Sequence, residues 1–175
     1  MSLRKLFYSL LVVLACTMFL PSGMVFAGEQ ATPDEVYELI LKAVPVVEEL
    51  GQAGLEAFND PHGEFVYKET FVLVLDCSTM TIVAYPNPKI IGRSLKGDLD
   101  KNPDPAKRFK HGEAMCEMGN RPNGGWLAYY WDKIGSNEPA RKISFCLHVP
   151  GTDYTLVAGI YDEATSVEEL NSQLK

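Results

Sequence analysis

The sequence lacks the motifs of the common enzyme and nucleic-acid-binding classes. Its three histidines do not occur in a metal-ligand spacing such as HExxH, and it has no GxSxG elbow. It has no CxxC pair, so thioredoxin-like and c-type haem functions have no support. It has no basic run, and no segment after the first 27 residues is apolar for long enough to span a membrane. We therefore expect no metal, no cofactor and no stable membrane span.

The first 27 residues have the composition of a secretion signal. Arg4 and Lys5 form a basic start, residues 6–20 are almost entirely apolar, and a small-residue cleavage site ends at Ala27. The apolar part is shorter than the roughly 20 residues that a membrane span needs. We predict a signal peptide over residues 1–27 and a periplasmic or secreted protein. Two alternatives stay open, namely lipidation at Cys16 and retention of the segment as an anchor.

The remaining chain, residues 28–175, is acidic and has the size of one domain. The predicted signal carries two basic residues and no acidic ones, so 148 residues remain, with 14 basic and 23 acidic side chains and a formal net charge of −9. A chain of this length builds a sizeable core without needing a disulfide scaffold. Its acidic surface repels nucleic acid and anionic lipid, so we expect no nucleic-acid partner.

Three cysteines remain after the signal, namely Cys77, Cys116 and Cys146. In an oxidising compartment one pair of them can form a disulfide and leave one thiol free. The sequence does not say which residues pair. An equally acceptable interpretation is that all three are small buried hydrophobic residues.

The N-terminal part of the domain predicts a long helix. Thr32 and Glu35 form a capping box, Pro33 suits the first helical position, and apolar residues follow at helical spacing. We expect this helix to be kinked at Pro45 and to continue as far as Phe58.

The rest of the domain alternates between strand and helix patterns. Aromatic and β-branched runs separated by turn residues predict strands over residues 70–75, 80–85, 124–131, 141–146 and 154–162. A short central helix is expected over residues 106–118, and a capping box at Ser166 and Glu169 opens a C-terminal helix. The order predicts an α+β fold with one antiparallel sheet of about five strands.

In this order, several segments together resemble a single Cache domain of the second type, a PAS-like extracytoplasmic sensor module. The similarity spans roughly residues 33–165 and is carried by the segments Phe71–Asp76, Ala84–Pro88, Ile91–Leu95, Gly124–Trp131, Lys142–Phe145, Val149–Tyr154 and Ala158–Asp162. The chain departs from the family pattern at Tyr85, where histidine is usual, and at Phe145, where tyrosine is usual. Both positions lie near the expected pocket, so the ligand of another member does not transfer to this chain.

The resemblance implies a non-catalytic sensor that binds a small organic ligand, often a short carboxylate. The sequence has no output domain, so it is similar to stand-alone, secreted members of the family. Such a member passes ligand occupancy to a partner protein, for example a membrane receptor or kinase.

Strand alternation selects the candidate ligand-binding residues. Lys142, Ser144 and Cys146 share one face of their strand, and a lysine on an apolar wall is stabilised by a ligand carboxylate. Ordinary alternatives are a solvated surface lysine and aromatic residues that simply pack in the core. Together with the family pattern, this reasoning predicts a pocket formed by Lys142, Tyr129, Trp131, Tyr85, Ser144 and Phe109, with Arg108 beside Phe109 in a lid.

Two further functions are compatible with the sequence. One is a protein-interaction module that docks through its acidic surface and binds no small molecule. The other is a cysteine-based enzyme, with His148 as base for the thiol of Cys116 or Cys146. A structural thiol explains those cysteines more simply.

Overall fold

The computed structural model describes residues 29–133, 136 and 138–174. The predicted secretion signal therefore lies outside the described residues. Within them, no helix combines the length and the apolar character needed to cross a membrane. The helices are α1 (Pro33–Leu50), α2 (His111–Gly119) and α3 (Val167–Gln173), and the strands are β1 (Val66–Tyr67), β2 (Thr70–Phe71), β3 (Leu73–Asp76), β4 (Thr81–Ala84), β5 (Gly125–Asp132), β6 (Pro139–His148) and β7 (Tyr154–Tyr161).

The predicted α+β architecture is confirmed. Five strands form one sheet in the order β4-β3-β7-β6-β5, and every neighbouring pair is antiparallel. The sheet is PAS-like in that helices cover both of its faces. Helix α1 packs on one face against β6 and β7, and α2 packs on the other face against β5, β6 and β7.

Helix α1 begins as the capping box predicts. The backbone N–H of Glu35 donates to the Thr32 hydroxyl at 3.3 Å, and the Glu35 carboxylate accepts from the Thr32 N–H at 2.8 Å. Pro45 lies inside the helix. The α-helix ends at Leu50 instead of continuing to Phe58, because Gly51 adopts a φ of 53° and the chain proceeds as a 3₁₀ helix over Gly51–Phe58.

The predicted strand over residues 70–75 is divided in two. At Val72 the backbone N–H donates to the carbonyl of Phe65 at 3.0 Å and so leaves the ladder. This contact belongs to a small hairpin of β1 and β2, which the sequence pattern did not reveal. The hairpin places Phe71 beside β7, the central strand of the main sheet.

The central helix is shorter than predicted, and Phe109 and Arg108 precede it. Residues Pro105–Lys107 form a single 3₁₀ turn, and α2 begins only at His111. Asp100 explains the delay, because its backbone and side chain pair with the backbone of Phe109 at 2.9 and 3.1 Å. The same carboxylate accepts from the N–H of Tyr130 at 3.0 Å, so this buried acid ties the segment before α2 to β5.

Two contacts fix the helices to the sheet. Asn171 of α3 makes a pair of hydrogen bonds, at 2.8 and 2.9 Å, to the backbone of Trp126 on β5. A disulfide joins Cys77, which directly follows β3, to Cys116 of α2, with Cα atoms 5.8 Å apart. One of the pairings left open by the sequence is thereby selected, and Cys146 stays a buried free thiol.

Candidate functional site

The candidate site lies on the sheet face that α2 covers. Alternation along β5 and β6 places Tyr129 and Ser144 in the core beneath α2, whereas Trp126 and Phe145 pack in the core beneath α1. In the ladder Lys142 is directly opposite Tyr129 on one side and Tyr161 on the other. Directly opposite residues have Cβ atoms about 4.5–5.5 Å apart, so these three side chains are immediate neighbours.

Lys142 is a half-buried cation in an aromatic surrounding. Its Nζ lies 5.3 Å from the ring centroid of Tyr161 and 5.7 Å from that of Phe71. Among the described residues no carboxylate forms an ion pair with it, and no hydrogen-bond acceptor is in range. Burial lowers the pKa of Lys142 to about 8, because the charged form loses hydration that nothing replaces.

A pair of buried hydroxyl groups lies next to this cation. The Tyr129 and Ser144 hydroxyl oxygens are 3.2 Å apart, and both side chains are almost fully buried. Burial raises the pKa of Tyr129, so its hydroxyl stays protonated and available as a donor. This pair can offer one neutral hydrogen bond to a molecule that contacts Lys142.

Two further rings lie near Tyr129, namely those of Trp131 on β5 and His111 on α2. The His111 ring lies 4.6 Å from that of Trp131 and 5.6 Å from that of Tyr129, and its Nδ1 is 3.0 Å from the carbonyl of Asp98. Burial lowers the pKa of His111, which therefore favours the neutral ring. Arg93 and Lys101 lie over the Trp131 ring at 5.3 and 5.2 Å.

Tyr85 and Phe109 complete the group on the same face. Both are half-buried and pack against the core beneath α2. The Tyr85 ring meets that of Phe71 edge-on at 4.8 Å, and burial raises the pKa of its hydroxyl. Arg108 is exposed, and its Nε donates to the carbonyl of Asn102, so it takes no part in this group.

The sheet face beneath α2 is fully buried at one end of β6 and partly exposed at the other. Along β6, Ser144 and Cys146 are fully buried beneath α2. Lys142 is half-buried, as are its neighbours Tyr161 and Phe71. The protein therefore keeps the cation near the accessible end of a mostly apolar wall, an arrangement that suits a small polar ligand.

Three clefts in the described part of the chain lie apart from the predicted site residues, although one of them borders Tyr161. The most enclosed of three has a volume of about 240 Å³ and lies between α1 and α3, beside Tyr37 and Trp126. The other two, of about 450 and 480 Å³, flank the N-terminal half of α1. None of the three is lined by the predicted site residues.

Sequence reasoning missed three members of this group, namely Phe71, His111 and Tyr161. Tyr161 was recoverable in part, because alternation from Val157 places it on the same strand face. No local signal identified the other two, since Phe71 depends on the β1–β2 hairpin and His111 on where α2 begins.

The cysteine positions do not suit a thiolate nucleophile. Cys116 is bonded to Cys77, and Cys146 is fully buried. Burial raises the pKa of Cys146, whereas a reactive thiol needs a lowered pKa and access to solvent. Neither cysteine is therefore a reactive thiol for which His148 could act as the base.

Gly159 sets the spacing of β6 and β7 beneath the site. A Cβ atom at this position would lie 2.1 Å from the Ser144 hydroxyl oxygen and 2.3 Å from the carbonyl oxygen of Ile143. We expect Gly159→Ala to lower the free energy of unfolding by about 1–3 kcal/mol, because the added methyl group overpacks two strands. Urea denaturation measures the loss. The matched change Gly63→Ala, in a turn where the nearest atom is 3.1 Å away, should have a smaller effect, and equal losses would contradict this role.

The fold is PAS-like, and the comparisons identify the family. A family model described as "Cache domain" matches residues 64–166, so this chain belongs to the Cache domain family. Cache domains are typically extracytoplasmic ligand-binding modules of chemoreceptors and are generally non-catalytic. The comparison with curated proteins gives no match.

Three solved structures share the fold. The chain is 24% identical to a "periplasmic sensor domain of chemotaxis protein", with a TM-score of 0.61 over 74% of this chain and 94% of that one. A methyl-accepting chemotaxis protein from Vibrio parahaemolyticus is 17% identical, with a TM-score of 0.58 over 73% and 86% of the two chains. A structure described as the "structural basis for carboxylic acid recognition by a Cache chemosensory domain" is 19% identical, with a TM-score of 0.55 over 74% and 92%.

Proposed function

We propose that this Cache domain is an extracytoplasmic sensor that binds a small organic anion, a short carboxylate, at Lys142 and signals through a partner protein. The observation that carries the proposal is the half-buried ammonium group of Lys142, which has aromatic neighbours and no acidic partner among the described residues. Tyr129, Trp131, Tyr85, Ser144 and Phe109 form the remainder of the proposed site.

The energetics favour an anionic ligand. A partly desolvated ammonium costs free energy unless an opposite charge or hydrogen bonds replace its water. The rings of Phe71 and Tyr161 supply about 0.5–2 kcal/mol as cation–π contacts. A ligand carboxylate would add a charge-assisted hydrogen bond of about 1.5–3 kcal/mol, because the ammonium donates directly to an anionic oxygen.

Two further observations support the ligand class and the signalling role. One structural neighbour is described as recognising carboxylic acids, and two others come from chemotaxis proteins. Signalling through a partner requires that the partner have different affinities for the ligand-free and the ligand-bound domain.

A comparison of carboxylates with their amides tests the proposal directly. Each short acid is paired with an uncharged amide of the same shape, for example acetate with acetamide, and binding is followed by thermal shift and calorimetry. We expect at least one acid to raise the melting temperature while its amide does not, since only the acid carries the charge that Lys142 needs. Equal responses within every pair, or no response to any acid, would contradict ligand sensing at Lys142.

The pH dependence of binding is a second expected outcome. The pKa of Lys142 is about 8 in the ligand-free protein, so below that pH the amine is charged and ready to bind a carboxylate. Above it the ligand must bind together with a proton, and the affinity should fall by about tenfold per pH unit until the pKa of the complex is reached. Calorimetry between about pH 7 and about pH 10 measures the slope. An affinity that stays constant over this range would show that Lys142 does not meet the anion.

A second candidate function is a protein-interaction module without a small ligand. It is favoured by two clefts that lie beside acidic residues of α1, namely Asp34, Glu35 and Glu38, and that include none of the proposed site residues. The acid–amide comparison separates the two functions, because an interaction module responds to neither member of a pair.

A further inference from the structure

The lysine at the candidate site has a chemical property that carboxylate binding does not use. A primary amine is a nucleophile when it is unprotonated, and apolar surroundings increase the unprotonated fraction by disfavouring the charged form. Lys142 has such surroundings, because its side chain is half-buried and no carboxylate forms an ion pair with it among the described residues.

We propose that Lys142 captures a 2-oxo acid by forming a reversible imine. This proposal rests on the proposed function, since the ligand would occupy the same site. It adds that the ligand carries a carbonyl group beside its anionic group and is held by a covalent bond.

The lysines for which an ion pair is described have different surroundings from Lys142, and this difference supports Lys142 as the amine that reacts. Each of them has a carboxylate within reach, which stabilises the protonated amine. The ion pair of Lys68 with Glu35 and Glu29, for instance, raises the pKa of that lysine. Burial instead brings the pKa of Lys142 to about 8, so roughly a tenth of its molecules carry a free amine at neutral pH. The other members of this ion-paired group are Lys42, Lys101 and Lys107.

The surroundings also suit the proton transfers of imine formation. Tyr129 and Tyr161 are the two cross-strand neighbours of Lys142, and burial keeps both phenols protonated, raising the pKa of Tyr161 to about 12. The Tyr161 hydroxyl donates to the carbonyl of Asp132, whereas that of Tyr129 is paired with Ser144. In this proposal the Tyr129–Ser144 pair supplies the proton to the oxygen of a carbonyl attacked at Lys142, because Tyr129 is the cross-strand neighbour of Lys142.

The chemistry balances without an oxidant, a reductant or a cofactor. The Lys142 ammonium first loses a proton to solvent, and the free Nζ forms a bond to the carbonyl carbon while the electrons of the C=O π bond pass to oxygen. The oxygen then takes up a proton and the nitrogen loses one, which gives a neutral carbinolamine. The hydroxyl group takes up a second proton, the nitrogen lone pair forms the C=N bond, and the C–O bond breaks with release of water. Overall the lysine ammonium and the carbonyl compound give one iminium ion and one water molecule, and hydrolysis reverses the step.

Reductive trapping with glyoxylate tests the proposal. The full protein is incubated with a limiting amount of glyoxylate and cyanoborohydride, and the products are examined by intact mass and peptide mapping. We expect one reduced adduct per chain on Lys142, and no such adduct in Lys142→Arg. The change Lys89→Met, at an exposed lysine, should leave the labelling of Lys142 intact. Labelling in urea should lose its preference for Lys142, because the unfolded chain lacks the aromatic surroundings.

The result that would overturn imine formation is labelling spread equally over many lysines, or none at Lys142. Glycolate, the reduced counterpart of glyoxylate, separates this outcome from a failure of the proposed function. If glycolate and glyoxylate both stabilise the protein and no adduct forms, carboxylate binding stands and the covalent step is wrong. If neither acid nor any other carboxylate stabilises it and no adduct forms, both proposals fail.

Discussion

Replacing Lys142 with methionine is expected to abolish the response to carboxylates and, at the same time, to make the ligand-free protein more stable. Methionine is unbranched and of similar length, so it fills the space of the lysine stem. The change removes the charge that the ligand needs. It also removes a desolvated ammonium that has no acidic partner among the described residues.

The stabilisation should depend on pH in a defined direction. Folding lowers the pKa of Lys142 from its ordinary value of 10.5 to about 8, so the folded state binds fewer protons than the unfolded state between these values. The free energy of unfolding that Lys142 contributes therefore rises with pH over this interval, and its cost, of the order of 3 kcal/mol, applies in full below about pH 8. Lys142→Met should accordingly stabilise most at neutral pH and lose this advantage by about pH 10.

Chemical denaturation at two pH values, combined with the acid–amide comparison, measures both effects. Lys89→Met is the matched control, since Lys89 is exposed and is expected to change neither stability nor ligand response. A variant at position 142 that is less stable than the parent would show that the lysine has a structural role. A variant that still binds carboxylates would show that Lys142 does not hold the ligand.

Removing the disulfide is expected to give the largest loss of stability. Cys77 and Cys116 are 39 residues apart, and closing a loop of this length in the unfolded chain corresponds to about 4 kcal/mol in the chain-entropy model. Helix α2 has only nine residues, which is too short for a stable helix without tertiary contacts. The double change Cys77→Ala and Cys116→Ala should therefore loosen α2 and weaken the ligand response.

Urea denaturation with and without a thiol reductant, together with hydrogen exchange over α2, provides the measurement. The parent protein should lose stability in reductant, whereas the double variant should be insensitive to it. Cys146→Ala, which changes the buried free thiol, should retain the sensitivity of the parent. If the parent shows equal stability in both conditions, the bridge does not stabilise α2.

Local patterns predicted the elements that local contacts stabilise. The capping residues Thr32 and Ser166 give the starts of α1 and α3, because each hydroxyl accepts a bond from a backbone N–H three residues ahead. Alternation placed Lys142 and Ser144 on one strand face because the side-chain period of a strand is fixed. The predicted start of α2 was wrong, because Asp100 in the preceding segment forms hydrogen bonds with the backbone of Phe109 and so keeps it out of the helix.

The sequence by itself determined the α+β class, the approximate positions of the five sheet strands and the strand face that Lys142 shares with Ser144, because these depend on spacing along the chain. Tertiary structure alone decided that Cys77 pairs with Cys116, that Tyr161 and Phe71 meet Lys142, and that no acid reaches this lysine within the described residues. The physical reason is register: which residues lie opposite one another depends on contacts between segments far apart in the chain.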